Sequence, residues 1–285
     1  MRNISTLILL LLSVTVTDVV AESLRISPEE LIKQLNKKHF VILDTRQKND
    51  YDIDHIKGAI NFPVDVTYAN KQTNGRIQNP VQMQASLRHA GISTNSIVVV
   101  YDGGPLIDAA RVFWALEVYG IKNVKVLDHG FNYWISKNYP VSHDTPEIKQ
   151  SQYVSTINHQ RLSSKFTTQL AINDSNKVVI DARSLPAYKG EISVAKRFGH
   201  IPSAINVPFF DNITQDTEFS ALKPINELKK LYSGLPMGKK VIIYCKIGRV
   251  SSTNYFALRE LGHDVSNYDA SWREWGNDDS LPIEK

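Results

Sequence analysis

One cysteine, Cys245, occurs in the whole chain, and it stands in the stretch VIIYCKIGRVSST, residues 241–253. An apolar, β-branched run precedes it; Lys246, Ile247, Gly248, Arg249 and Val250 follow, and then the hydroxyl residues Ser251, Ser252 and Thr253. A strand that runs into a glycine turn and a helix puts the cysteine at the strand's carboxyl end, where open parallel sheets bind ligands. Backbone amides of such a turn, with the positive end of the helix behind them, favour an anion: a thiolate, a persulfide or a bound oxyanion. Gly248 permits the tight path, Lys246 and Arg249 add positive charge, and the hydroxyl residues suit the start of a helix. The thiolate is the nucleophilic form, and a cationic turn favours it. The apolar strand before it also suits a small buried packing residue, as unpaired cysteines commonly are. Two cations and a glycine turn directly after it fit the nucleophile and not the packing residue.

The elements that place this turn occur twice. The segment FVILDTRQKNDYDIDHIKGAINFPV (40–64) has a counterpart in VVIDARSLPAYKGEISVAKRFGHIPSAINVPFF (178–210). Each opens on a β-branched run ending in Asp-x-Arg, at Asp44 and Arg46 or Asp181 and Arg183. Each continues to Tyr51 or Tyr188 and then to His-Ile-x-x-Ala-Ile-Asn-x-Pro, at His55 to Pro63 or His200 to Pro208. The likeness resumes between 96–141 and 240–283, where Tyr101-Asp102 pairs with Tyr244-Cys245, Asp128 with Asp269 and Trp134 with Trp275. Register kept through two long blocks marks a tandem duplication. Short apolar strands alternate with helical periods in each half, which predicts α/β units around a mainly parallel sheet flanked by helices. Val112, Ala115, Leu116 and Tyr119 have the spacing of an amphipathic helix after the first Tyr-Asp strand. The expected domains are residues 22–144 and 166–285, joined by a polar, Pro-containing linker over 145–165.

A chain of 285 residues with 42% hydrophobic and 22% charged residues is a folded globular protein of about two domains. Residues 1–21 have a cation at Arg2, an apolar run from Leu7 and a small residue at Ala21, the pattern of a signal peptide cleaved after Ala21. The apolar part is shorter than the roughly 20 residues needed to span a bilayer, so export without stable membrane insertion is expected, most simply to a bacterial periplasm. Cleavage would remove one cation and one anion, so the net charge stays at +4. That excess is too small and scattered to point to nucleic acid. A single cysteine excludes an internal disulfide, even where the compartment would permit one.

Taken together, the Asp-x-Arg, Gly-His-Ile and Ala-x-Asn-x-Pro block, the strand ending in Tyr-Cys-x-x-Gly, and the closing Tyr-Asp-x-Ser-Trp-x-Glu-Trp resemble the tandem-domain rhodanese sulfurtransferases over residues 25–285. The resemblance implies two rhodanese-like domains, of which the second is catalytic and the first has lost its cysteine, as Asp102 has here. It implies Cys245 as the nucleophile of a double displacement that moves a sulfur atom from a small donor to a thiophilic acceptor, with no metal or organic cofactor. The amides of Lys246, Ile247, Gly248, Arg249 and Val250 would cradle the persulfide. Arg183 matches the family's substrate-binding arginine and would hold the donor's sulfonate or carboxylate, the alternative being an ordinary ion pair with Asp181 or a neighbour; Lys246 points to thiosulfate rather than 3-mercaptopyruvate as donor. Ile247 departs from the basic residue of the best-matching thiosulfate pattern, and Arg249 either supplies that charge or faces water. His55 and His200 are expected to be structural because the copy without cysteine keeps one. Trp272 is expected near the pocket and Trp275 in the core.

Two competitors share parts of this pattern. Phosphatases with a cysteine and an arginine six positions later use the same strand, turn and helix, but here that position is Ser251 and Arg249 comes too early to close the phosphate loop. A persulfide carrier serving a dedicated protein partner would keep the cysteine and its turn, and differs from the enzyme in failing to turn over with a small acceptor.

Overall fold

The computed structural model describes residues 22–35, 37–70, 74–214 and 219–285. The signal sequence expected over 1–21 lies outside the described residues.

The runs FVILD, IVVVY, KVVID and KVIIY become the central strands Phe40–Asp44, Ile97–Tyr101, Lys177–Asp181 and Lys240–Tyr244. Near-continuous apolar residues suit them because both faces of a parallel sheet are covered. Each half builds a five-stranded, wholly parallel sheet. In the first, Arg25–Ile26, Val124–Leu127, Ile97–Tyr101, Phe40–Asp44 and Ile60–Asn61 lie side by side in that order. In the second the order is Leu162–Ser163, Val265–Tyr268, Lys240–Tyr244, Lys177–Asp181 and Ile205–Asn206. The register repeats as well: Asp44 faces Tyr101 across the strands as Asp181 faces Tyr244.

The duplicated residues explain the duplicated fold. Tyr101 and Tyr244 donate from their hydroxyls to Asp44 and Asp181, at 2.6 and 2.7 Å. Arg46 and Arg183 close on the same two carboxylates, each with a shortest contact of 2.6 Å. His55 stacks on Tyr51 and reaches its carbonyl; His200 does the same with Tyr188. Both histidines are thus structural in both copies.

Two elements differ from expectation. The strand Leu162–Ser163 falls inside the segment expected to be linker, yet it forms the edge of the second sheet by pairing with Val265–Tyr268. The chain just before it is strapped to the first domain: the Tyr153 hydroxyl donates to the Tyr119 carbonyl at 2.8 Å, and the Asn158 amide to that of Val118 at 2.7 Å. The helix Ile107–Val118, expected to have one apolar face, is buried all round from Ala109 to Val118. Its second face meets the matching helix of the other domain, Ser251–Glu260, so that Phe113 packs edge-on against Phe256 at 4.9 Å between ring centres. Glu117 survives there because Arg259 and the Tyr255 hydroxyl bind its carboxylate at 2.9 and 2.5 Å. Two related helices back to back thus bury the charged residues that a free amphipathic helix would have turned to water, Arg111 among them.

Candidate active site

Cys245 follows the Lys240–Tyr244 strand directly, at the carboxyl edge of the second sheet, and is 1% exposed. Its amide donates to Ser271 Oγ at 3.0 Å, and that hydroxyl donates on to the Tyr268 carbonyl at 2.6 Å. Its carbonyl accepts from the Trp272 amide, and the Lys246 carbonyl from that of Arg273. The backbone on both sides of the sulfur is therefore fixed by one neighbouring turn. The Ser251 hydroxyl lies 3.3 Å from Cys245 Sγ and 2.8 Å from Asn267 Oδ1. A hydroxyl has one proton for those two acceptors, so it can shift to the sulfur as negative charge develops there. Ser251 was expected to help start the helix. Val250 occupies the capping position instead, in helical conformation and without a side-chain cap, which leaves the first-turn hydroxyl of Ser251 aimed at the thiol.

The first domain shows what the loop after this strand is built to hold. Its Asp102 occupies the position of Cys245, and its carboxylate collects the amides of Gly104, Leu106, Asp108 and Ala109 at 2.9 to 3.3 Å. Burial pushes the Asp102 carboxyl up from its usual range, and these amides pull it back. Counting from the cysteine, Ile247, Arg249 and Ser251 correspond to the first three donors. Among the described residues the amides of Lys246 to Ser251 have no protein acceptor. One loop is thus plugged by its own carboxylate, and in the other the equivalent amides are unused beside a cysteine.

Gly248 sets the curvature of that loop. Its φ is +69°, and a Cβ there would lie 2.6 Å from both Cα and O of Asp269. Its carbonyl is turned outward and held by Asn267 Nδ2, Ser252 Oγ and Arg111 Nη1, each at 3.0 Å. Arg111 belongs to the first domain. So do Gly75, which packs against Ile247, and Ile77, whose amide donates to the Asp269 carboxylate at 2.6 Å. Burial pushes the Asp269 carboxyl up, and the Arg111 charge is the largest influence drawing it down.

The expected substrate cations divide. Lys246 is exposed, and its ammonium has no partner among the described residues. Arg249, partly exposed to water, closes on Asp108 of the first domain at 2.6 and 2.8 Å. Arg183 is 6% exposed, bound to Asp181 and to the Gly199 carbonyl, with its guanidinium carbon 4.4 Å from the centre of the Trp272 ring. Arg46 lies over Phe131 in the same arrangement, so the pair with aspartate is the shared role. Trp272 is fully buried behind Arg183, and Trp275, like Trp134, spends its indole N–H on a carbonyl seven or six residues on. Among the described residues no group of three or more His, Cys, Asp or Glu is placed to hold a metal ion. No helix among them is long and apolar enough to cross a membrane.

The sequence family described as the Rhodanese-like domain matches twice, at residues 27–137 and 167–278. The chain belongs to the rhodanese family. A relative from Haloferax volcanii with the provisional name thiosulfate sulfurtransferase is 32% identical over 246 residues, covering 82% of this chain and 85% of its own. A relative from Mycobacterium tuberculosis H37Rv with the same provisional name is 34% identical over 254 residues, covering 82% and 87%. Among solved structures, SseA from Escherichia coli, described as a 3-mercaptopyruvate sulfotransferase, superposes with a TM-score of 0.78 at 23% identity, covering 88% of this chain and 99% of that one. The protein EanB superposes with a TM-score of 0.76 at 21% identity over 86% of this chain and 63% of that one. At those identities the two structures show the shared fold. This rhodanese is a sulfurtransferase whose two copies have diverged at the strand-end position, Asp102 against Cys245.

In this rhodanese the Ser251 hydroxyl is the side-chain group placed on the sulfur. A hydrogen bond to a charged group contributes about 1.5–3 kcal/mol. Ser251→Ala is accordingly expected to slow sulfur transfer about tenfold or more, and to slow alkylation of Cys245 by iodoacetamide at neutral pH in parallel. Loss of turnover with an unchanged alkylation rate would show that the hydroxyl serves some step other than stabilising the sulfur anion.

Proposed function

We propose that the protein transfers the outer sulfur of thiosulfate to cyanide or a thiol through a persulfide on Cys245. The observation that carries this reading is the contrast between the two loops: the one closed by the Asp102 carboxylate, and the one that follows a cysteine and whose equivalent amides have no acceptor among the described residues. In the first displacement the Cys245 thiolate attacks the outer sulfur of thiosulfate, the S–S bond breaks, and sulfite leaves with its electron pair. The terminal sulfur of the persulfide then carries the negative charge; the Ser251 hydroxyl, 3.3 Å from Sγ, and the amides of Ile247 and Arg249, equivalent to those that bind Asp102, are its donors in this reading. In the second, cyanide attacks that terminal sulfur and leaves as thiocyanate, returning the thiolate; sulfur moves with no net change in the oxidation state of the enzyme. Lys246, the cation on this loop without a protein partner among the described residues, suits the sulfonate end of thiosulfate, and relatives from several organisms bear a provisional thiosulfate sulfurtransferase name. Arg183 and Arg249 contribute by fixing the strand end and the loop, since aspartates already hold both.

The test compares kcat/KM for thiosulfate and 3-mercaptopyruvate with cyanide as acceptor. Thiosulfate is expected to be the better donor, and Lys246→Ala to raise its KM about tenfold with kcat nearly unchanged, as removal of a ground-state ion contact does. Preference for 3-mercaptopyruvate would overturn the choice of donor and leave the displacement chemistry intact. A one-sulfur adduct on Cys245 by mass spectrometry without thiocyanate formation would instead make the protein a persulfide carrier. We also propose that residues 1–21 direct export, to the periplasm in a bacterium; a mature protein beginning at Glu22 would support this, and one retaining Met1 would refute it.

A further inference from the structure

Arg111 is fully buried, at the domain interface behind the catalytic loop. Its guanidinium lies between the rings of Tyr68 and Trp114, at 4.4 and 4.3 Å. Among the described residues its hydrogen bonds go to neutral acceptors: Thr67 Oγ1 and O, the Gly75 carbonyl and the Gly248 carbonyl. No carboxylate among them closes on it; burial pulls the guanidinium down, against the pull of Tyr68, Asp269, Cys245 and Tyr119. Arg249, the neighbouring cation, is taken up by Asp108, and Asp102 lies beyond that pair. A buried cation without an anionic partner is costly and would be better replaced by an apolar side chain unless it acts on something.

The Gly248 carbonyl is what it acts on. In a planar trans peptide the carbonyl and the next N–H point in opposite directions. Holding the Gly248 oxygen toward Arg111 therefore turns the Arg249 amide the other way, into the loop. In the first domain the amide at the equivalent position, Leu106, is one of those that bind the Asp102 carboxylate, at 3.2 Å. The position equivalent to Arg111 in the second domain is Asn254, an uncharged residue that donates to Val207 O at 2.8 Å within its own domain. The cysteine-less domain thus sends a charge to the Gly248 carbonyl of its partner's loop; the cation that crosses the other way, Arg249, is neutralised by Asp108.

We propose that Arg111 is a positioning residue of the sulfur site: it fixes the 248–249 peptide with its N–H toward Cys245 and sets a buried positive charge behind the anionic sulfur carried there. The inference rests on the reading of Cys245 as the sulfur carrier, and the domain without a cysteine is thereby a working part of the catalytic centre. The test uses the full chain and reads the pH dependence of Cys245 alkylation by iodoacetamide, which needs no sulfur donor, beside kcat and KM for thiosulfate and cyanide. In Arg111→Gln the midpoint of the alkylation profile is expected to move about one pH unit to the alkaline side, with kcat down about tenfold or more and KM within about twofold. Arg111→Lys keeps the charge but not the fork, so it is expected to keep the alkylation midpoint while losing about fivefold in kcat. Folded Gln and Lys variants with wild-type profiles and kcat would overturn the proposal. If the Gln variant does not fold, the Lys variant decides, because native kcat in it is incompatible with a positioning role. An alkaline shift in the Gln variant of a wild type that turns over no sulfur donor would retain this inference and discard the sulfurtransferase reading.

Discussion

A Cys245→Ser variant is expected to lose thiocyanate formation by roughly 1,000-fold or more while keeping its fold. Activity falls because the serine hydroxyl is not ionised near neutral pH and cannot receive a sulfur atom as a persulfide, so the double displacement has no covalent intermediate. The fold survives because the second domain does not depend on the thiol for packing: the first domain places a carboxylate at the same strand end, on the same backbone bonds. Phe131 and Trp272 donate equivalently to the carbonyls of Asp102 and Cys245. Serine is close to cysteine in size, and the nearby Ser251 and loop amides offer its hydroxyl partners, so the melting temperature is expected to change by only a few degrees, corresponding to about 1 kcal/mol. Mass spectrometry after thiosulfate treatment provides the direct check: an adduct of one sulfur atom on the wild type and none on the variant. Substantial turnover by Cys245→Ser would remove the cysteine from the mechanism altogether.

The repeat made much of this legible in the sequence, because each copy acts as a control on the other. A residue type kept in both copies is answering a demand of the fold; one present only in the second is open to chemistry. That logic reads His55 and His200 as structural, and their matching stacks on Tyr51 and Tyr188 agree with it. Applied with equal strictness it also covers Arg183, since Arg46 repeats it, and the family resemblance alone had set it among the substrate contacts. The aspartates that hold the two arginines are only two residues away in each copy, and the sequence offers this pairing as the alternative to substrate contact.

Other features of the site depend on parts of the chain that no local pattern connects. Arg111 lies 137 residues from Gly248, and Asp108 lies 141 from Arg249. Both contacts exist because the helix Ile107–Val118 packs on its own twin, and a helical period in one copy gives no warning that its polar face will be covered by the other. Ser251 is an intermediate case. Its hydroxyl at the start of a helix was visible, but its aim at Cys245 depends on Val250 standing in the capping position with φ −70° and ψ −26°. The one signal that could have exposed Arg111 was its place in the apolar run Ala109–Leu116 of the domain without a cysteine, where it is the one charge and has no reason to be unless it faces something across an interface.

Gly248→Ala is expected to be the second most damaging single change, and it tests the loop rather than the nucleophile. Two costs combine at this position. A left-handed φ of +69° disfavours any Cβ by about 1 kcal/mol, and the new atom would sit 2.6 Å from Cα and O of Asp269. Neither wall can retreat cheaply. The Asp269 carboxylate is anchored to the amides of Ile77 and Ala270, and Ser271, two residues on, has a left-handed φ of +54° and holds the Cys245 amide. Relief therefore comes from the loop, which has to swing its carbonyl off Arg111, Asn267 and Ser252 and, with it, turn the Arg249 amide out of the orientation proposed for it. Loss of one preorganised donor of this kind costs about 100-fold or more in kcat, and the steric strain adds about 2–4 kcal/mol of destabilisation. Gly262→Ala provides the control: its φ is +83°, but nothing lies within 4 Å of a Cβ there. That variant is expected to lose about 1 kcal/mol of stability, read as a lower urea midpoint, and to retain full specific activity. Equal activity losses in the two would mean that left-handed glycine conformation in general, rather than the contact between Gly248 and Asp269, sustains the catalytic loop.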